Sequence, residues 1–234
     1  MKKTILLILL LLVSTFNTFS QDRGYLGLSY GPSFSIGDFG SYDLNNEKAG
    51  FAQTGSIFEL AFAHKIGKYL GLTSAIRNQS NSFNVEPILT DAKNFDPTIN
   101  WSAESKNWSV GGLFFGGWGS FPIDKTNVDF QLRVMGGLVN VSSAELTLSG
   151  SAYGITVYEK INSMSVYALG FIIGGGFKFN LGKKIRLLTT LDYFATSAKF
   201  EHVSVTSNYN PSRNTNLEQK IKTINLGIGL GLRL

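Results

Sequence analysis

Apolar residues alternate with small or polar ones in segment after segment, and this period-two pattern predicts strands rather than helices. From Leu26 to Phe34 the even positions carry Leu26, Leu28, Tyr30, Pro32 and Phe34, while the odd ones carry Gly27, Ser29, Gly31 and Ser33. Phe58, Leu60 and Phe62 oppose Glu59, Ala61 and Ala63, and Leu70, Leu72 and Ile76 oppose Gly71, Thr73, Ala75 and Arg77. Val128, Phe130, Leu132 and Val134 alternate with Asp129, Gln131 and Arg133. Tyr167, Leu169, Phe171 and Ile173 alternate with Ala168, Gly170 and Gly174, and Ile185, Leu187, Leu191 and Tyr193 face away from Arg186, Thr190 and Asp192. The last segment sets Ile224, Leu226, Ile228, Leu230, Leu232 and Leu234 against Asn225, Gly227, Gly229, Gly231 and Arg233. Between Trp108 and Phe121 both faces carry aromatics and glycines, so a strand is expected there without a defined facing. Counting that segment, the pattern predicts about eight strands.

These segments exceed the ~5–6 residues of an ordinary strand and approach the ~9–11 that a tilted strand needs to cross a bilayer. Their second face holds mostly Gly, Ala, Ser and Thr with isolated charges, which suits the inside of a narrow closed barrel better than a solvated surface. The connections alternate too. Short ones fall at Ile66-Gly67-Lys68, Pro122 to Thr126 and Gly182-Lys183-Lys184, and long polar ones at Ser35–Thr54, Asn78–Lys106, Ser142–Ser163 and Ala195–Lys222. Short turns on one side and long loops on the other is the layout of an eight-stranded antiparallel up-and-down transmembrane β-barrel, all-β in class. Facing parity requires hairpin loops with an odd number of residues, and three-residue loops with a glycine satisfy it by pairing Lys65 with Tyr69 and Leu181 with Ile185. Aromatic girdles are expected where the apolar band ends: Tyr30, Trp108, Tyr167 and Tyr193 toward the loops, and Trp118, Phe177 and Phe179 toward the turns.

The N-terminus changes the compartment. Lys2 and Lys3 precede an apolar run from Ile5 to Val13, too short to span a bilayer, and Thr18 and Ser20 stand at the −3 and −1 positions of a cleavage site. Residues 1–20 are therefore expected to be a secretory signal peptide, and 21–234 a barrel domain beginning at Gln21. The formal charge of +5 falls to +3 once Lys2 and Lys3 are removed. It is spread along the chain without a basic run, so nucleic acid is not an expected partner. With Cys at 0, disulfides and thiolate metal sites are excluded.

The chain from Gln21 onward resembles the small outer-membrane β-barrel proteins, the OmpA/OmpX-like and PorT-like group. The resemblance rests on the leader, the alternating segments, the turn–loop asymmetry and the ending Gly229-Leu230-Gly231-Leu232-Arg233-Leu234. That ending is similar to the assembly signal of such barrels, with Gly229, Leu232 and Leu234 at its key positions, although the family favours Phe where Leu234 stands. The resemblance implies residence in the outer membrane of a gram-negative bacterium, with outer-membrane lipid and the barrel assembly machinery as partners. It also admits another envelope or secretion-apparatus protein as a partner.

Glu59, Arg77, Asp129, Arg133, Arg186, Asp192 and Arg233 are the charges expected inside the barrel. An interior this narrow is filled by side chains, so these charges are expected to pair as a structural plug, with Glu59 and Arg77 as diagonal neighbours. Catalytic, cofactor and metal sites are expected to be absent. His64 falls beside a turn on the apolar face, and the loop acids Asp43, Glu47, Asp91 and Asp96 lack the spacing of a calcium loop. Function is then expected in the long loops. Glu145-Leu146-Thr147-Leu148 and Ile155-Thr156-Val157-Tyr158 flank Gly150–Gly154 like a hairpin continuing past the membrane, either as an edge for strand addition or as a raised rim. Two alternatives compete. A lipid-modifying enzyme would depend on His202 near Ser204, and a soluble lipocalin-like barrel would turn Leu226 and Leu230 inward.

Overall fold

The computed structural model describes residues 24–234. The expected leader at 1–20 and the domain start at Gln21 lie outside these residues. Strands run as β1 (Gly24–Ser35), β2 (Gly55–Lys65), β3 (Leu70–Asn81), β4 (Asn100–Ser105), β5 (Trp108–Pro122) and β6 (Val128–Ser142). They continue as β7 (Leu146–Ala152), β8 (Ile155–Ile161), β9 (Ser165–Asn180), β10 (Ile185–Ser207) and β11 (Arg213–Arg233), with an α-helix, α1 (Glu86–Phe95), before β4. The ring order is β1-β2-β3-β5-β6-β9-β10-β11, every pair antiparallel, and β11 closes on β1 from Tyr25↔Arg233 to Ser35↔Thr223. This is an eight-stranded up-and-down barrel. Closure leaves no open edge among the ring strands, as a barrel in hydrocarbon requires.

The facing rules out the soluble alternative. Leu226 and Leu230 are 44% and 60% exposed and point outward, among Leu28, Leu72, Leu132, Leu169 and Ile228. A continuous outward band of Leu, Ile and Phe is stable only against hydrocarbon.

β5, undefined in the sequence, takes its facing from shape. Phe114 and Trp118 are buried in the lumen while Leu113 and Phe115 face out. Phe114 fits because Gly112 and Gly137 flank it; a Cβ on either would come within 2.9 and 2.7 Å of its ring. Trp108 and Trp118 therefore do not belong to the girdles, since both are 3% exposed and inside. Their residue type suggested the interface, but glycine-made space inside the barrel claimed them.

Lys65 pairs with Gly71 rather than Tyr69, which lengthens that turn by two residues and leaves every facing unchanged. The second hairpin keeps the expected register, with the Leu181 N–H donating to the Ile185 carbonyl and Gly182 at φ +115°. Ala195–Lys222, expected as a long loop, is instead strand for most of its length. β10 and β11 stay paired from Ile185↔Leu232 to Val205↔Arg213, with a bulge between Phe200 and Val203. Beyond the apolar band the chemistry of the two faces reverses, with Lys199, Glu218, Lys220 and Lys222 outward and Ala198, Phe200 and Ile221 inward. There the barrel is built like a soluble protein. Its polarity marked it as loop, yet the alternation had only changed sign.

The outward band on β11 runs from Ile224 to Leu232 with Ile228 at its middle. Ile228→Lys should destabilise the barrel by about 2–4 kcal/mol, the cost of a cation at mid-bilayer. Denaturant unfolding in lipid vesicles measures this, with Lys222→Ala, placed above the band, expected to change little.

Candidate functional site

At mid-lumen, β2, β3, β6 and β10 bring Glu59, Arg77, Arg133 and Asp192 into one buried quartet. Arg77 donates from Nε and Nη2 to Glu59 Oε2 at 2.9 and 2.7 Å, and from Nη2 to Asp192 Oδ2. Arg133 donates from Nη1 to Glu59 Oε1 at 2.6 Å and from Nε to Asp192 Oδ1 at 3.0 Å. Each guanidinium thus bridges both carboxylates, and the quartet is electrically neutral. Glu59 and Arg77 are directly opposite rather than diagonal, a consequence of the two-residue change in register.

The quartet depends on a missing side chain. Arg133 and Asp192 are separated by β9, where both pair with Gly174. A Cβ on Gly174 would lie 2.0 Å from Asp192 Oδ1. Glycine at that position is what lets two strands that are not neighbours share an ion pair.

The remaining charges lie elsewhere. Asp129 sits near the turns, where Lys178 approaches it to 2.8 Å and Ser120 Oγ donates to it. Arg186, also buried, donates to the Gly182 and Ile185 carbonyls, and Arg233 is half-buried at the end of β11. Lys178, not among the expected inward charges, completes the pair with Asp129, and its place in the alternation after Gly174 and Gly176 predicts that it faces in. At the end of β11, Leu232 faces outward and the Leu234 N–H donates to the Gly24 carbonyl. Gly229 lies close against β1, where a Cβ would meet the Leu28 carbonyl oxygen at 2.2 Å.

Above the quartet the lumen is not uniformly polar. One wall carries an amide chain: Asn225 donates to Thr223 Oγ1 (3.0 Å), Thr223 to Gln79 Oε1, and Gln79 to Asn81 Oδ1 (2.9 Å). The opposite wall is an apolar core of Phe114, Met135, Val139, Ile172, Phe194 and Phe200. Phe39, from the loop after β1, is fully buried against Trp108 and stoppers the loop-side end. Below the quartet, Tyr25 and Trp118 stack edge-on at 5.8 Å beside a cavity of about 10 Å³, room for no more than a single water. Among the described residues, side chains thus enter the lumen from Asp129 near the turns to Phe39 at the loop side.

The loop side is ordered. β7 and β8 form the expected hairpin, turning at Tyr153-Gly154, both at positive φ. Its rim contacts differ from either expectation. β4, from the loop after β3, adds to the outer edge of β7 (Trp101↔Gly150), and β8 pairs with the end of β10 (Val205↔Ile161). The chain thus supplies its own added strand. Glu145 at the hairpin base accepts from Lys106 Nζ at 3.0 Å and Lys160 Nζ at 3.1 Å. Hydrogen bonds from these two ammonium groups hold its carboxyl below the ordinary glutamate value.

Against this sheet, Ile88 of α1, Trp101, the inner face of β7–β8 and Tyr209 enclose an open pocket of about 300 Å³. His202 is exposed at the bulge, where its backbone N–H donates to Asn216 Oδ1. His64 stacks on Phe62 on the outer surface. Among the described residues no group of three or more His, Cys, Asp or Glu could hold a metal.

No protein-family model matches the chain, and no curated protein matches it in sequence. Among solved structures, a major outer membrane protein from Thermus thermophilus aligns with TM-score 0.50 at 12% identity, covering 90% of this chain and 99% of that one. Neisserial surface protein A, NspA, aligns with TM-score 0.44 at 12% identity, covering 90% and 97%. Ail, the attachment invasion locus protein of Yersinia pestis, aligns with TM-score 0.43 at 13% identity, covering 92% and 99%. The likeness is one of fold.

Removing one arginine from the quartet strands buried carboxylates, so Arg133→Met should cost about 3–5 kcal/mol. Adding Asp192→Asn, which leaves Glu59 facing Arg77, should recover most of that loss in the same unfolding assay. The hairpin base should respond to acid. Because the folded Glu145 value is depressed, its contribution is complete above the unfolded value and disappears as pH falls through the folded one. Amide exchange across Leu146–Ile161 should therefore quicken relative to the barrel when pH is lowered below the glutamate range.

Proposed function

We propose that this chain is an integral outer-membrane β-barrel with a structural or interaction role, carried by its loop-side sheet and not by transport or catalysis. The observation that carries this reading is the contrast between the two ends. Buried side chains occupy the lumen from Asp129 and Lys178 to Phe39, whereas the loop side presents an ordered sheet of β4, β7, β8 and the ends of β10 and β11. A plugged scaffold holding a rigid external surface is suited to contact. The first and last ring strands begin and end on the side of the short turns, which in such barrels is the periplasmic side, with the sheet outside the cell. Fold likeness to an outer-membrane protein supports the location. The terminal Gly229, Leu232 and Leu234 would be read by the barrel assembly machinery.

The lumen charges act as a structural plug in this reading. Neutral pairing of Glu59, Arg77, Arg133 and Asp192 fixes the positions of four strands across the barrel. The partner of the outer sheet is another envelope protein, with components of a secretion apparatus as one class that fits.

Replacing Leu146–Ile161 by a short turn should leave a heat-modifiable, protease-resistant barrel, because the ring strands do not need the hairpin. After cross-linking in the bacterium that makes it, the shortened chain should lose the envelope proteins that co-purify with the intact one. Unchanged co-purification would sink the reading, as would a discrete conductance from the intact chain in planar bilayers.

A further inference from the structure

We propose that the pocket between α1, β4 and the β7–β8 hairpin binds one small, uncharged, apolar ring compound from outside the cell. This rests on the reading that the outer sheet is the working part of the protein.

The size excludes most other occupants. About 300 Å³ is at the lower end of small-ligand pockets, which run ~300–1,000 Å³, and a helix needs a groove ~10–12 Å wide. The chemistry narrows the choice. Leu146, Leu148, Val157 and Ile161 make an aliphatic floor, and Trp101 and Tyr209 stand as aromatic walls. Glu159 is the one charged residue in the lining, and Arg213 Nη2 engages it at 2.8 Å. An ion would find no uncompensated charge there, and a sugar would find few groups to satisfy its hydroxyls. A flat apolar ring loses little by leaving water and gains stacking against the aromatic walls.

The walls are held in place before any ligand arrives. Trp101 Nε1 donates to the Asp96 carbonyl at 3.0 Å, which fixes the indole plane. Its ring lies across Gly150, where a Cβ would come within 2.9 Å of it. Asn208 binds β8 like an added strand, accepting from the Tyr158 N–H and donating to the Thr156 carbonyl, each at 2.8 Å. That clamp sets the neighbouring Tyr209 as the opposite wall. Three separate devices thus keep an apolar space open where collapse of the side chains would have filled it. Preorganisation of this kind lowers the entropic cost of binding.

The test uses the full chain in lipid nanodiscs, with 4-fluorophenol as the probe and its fluorine NMR line as the readout. The wild type should broaden and shift the line in a saturable way. Leu148→Trp, which fills the floor, and Tyr209→Ala, which removes a wall, should each weaken binding about tenfold or more, equivalent to ~1.4 kcal/mol. Tyr153→Ala, at the 99% exposed hairpin tip, should bind like the wild type. Heat-modifiability of each variant reports whether the barrel is folded. Equal line broadening by the wild type and Leu148→Trp would mean partition into lipid, and would overturn the proposal, as would no saturable effect in the wild type. Either result would leave the wider interaction reading standing, because that reading is judged by cross-linked partners of the shortened chain.

Discussion

The fold turns on one electrostatic constraint: a charge inside a barrel within hydrocarbon must meet its opposite there. Glu59, Arg77, Arg133 and Asp192 satisfy it collectively, each arginine bridging both acids. Buried ion pairs seldom add much net stability, because desolvation offsets attraction, but a broken one is costly. Their value lies in specificity. Only one set of registers brings strands β2, β3, β6 and β10 to a common point, so wrong pairings leave charges stranded.

Glycine makes that meeting possible. Gly174 leaves room for Arg133 and Asp192 to join across β9, and Gly112 and Gly137 leave room for Phe114 above them. At these places a large side chain enters the lumen because a nearby position is reduced to a hydrogen atom. The interior is thereby closed by packing as well as by charge, which directs attention to the surface beyond the membrane.

That surface is assembled by the same rules with the faces exchanged. Past the apolar band, β10 and β11 turn lysines and Glu218 outward and apolar residues inward, as a water-soluble barrel does. The hairpin β7–β8 would end in an open edge, but β4 adds to it and α1 lies alongside. Covering an edge with the chain's own strand prevents indiscriminate pairing and leaves side chains to determine what binds.

The number of ring strands, the facing of most strands, the turn side and most of the inward charges were legible in the sequence, because period-two alternation ties residue type directly to environment. Leu226 against Asn225 needs no third dimension to interpret. What stayed hidden was everything decided by contact between distant strands. Trp108 and Trp118 read as interface residues until glycines on neighbouring strands made room for them inside. Glu59 was expected to lie diagonal to Arg77 because turn length, which a local pattern leaves open, sets the register. The continuation of β10 and β11 beyond the apolar band was missed because a hydrophilic strand in water resembles a loop. Local pattern determined which face each residue takes; which faces meet was settled only by closure of the barrel, through shape and charge pairing across its interior.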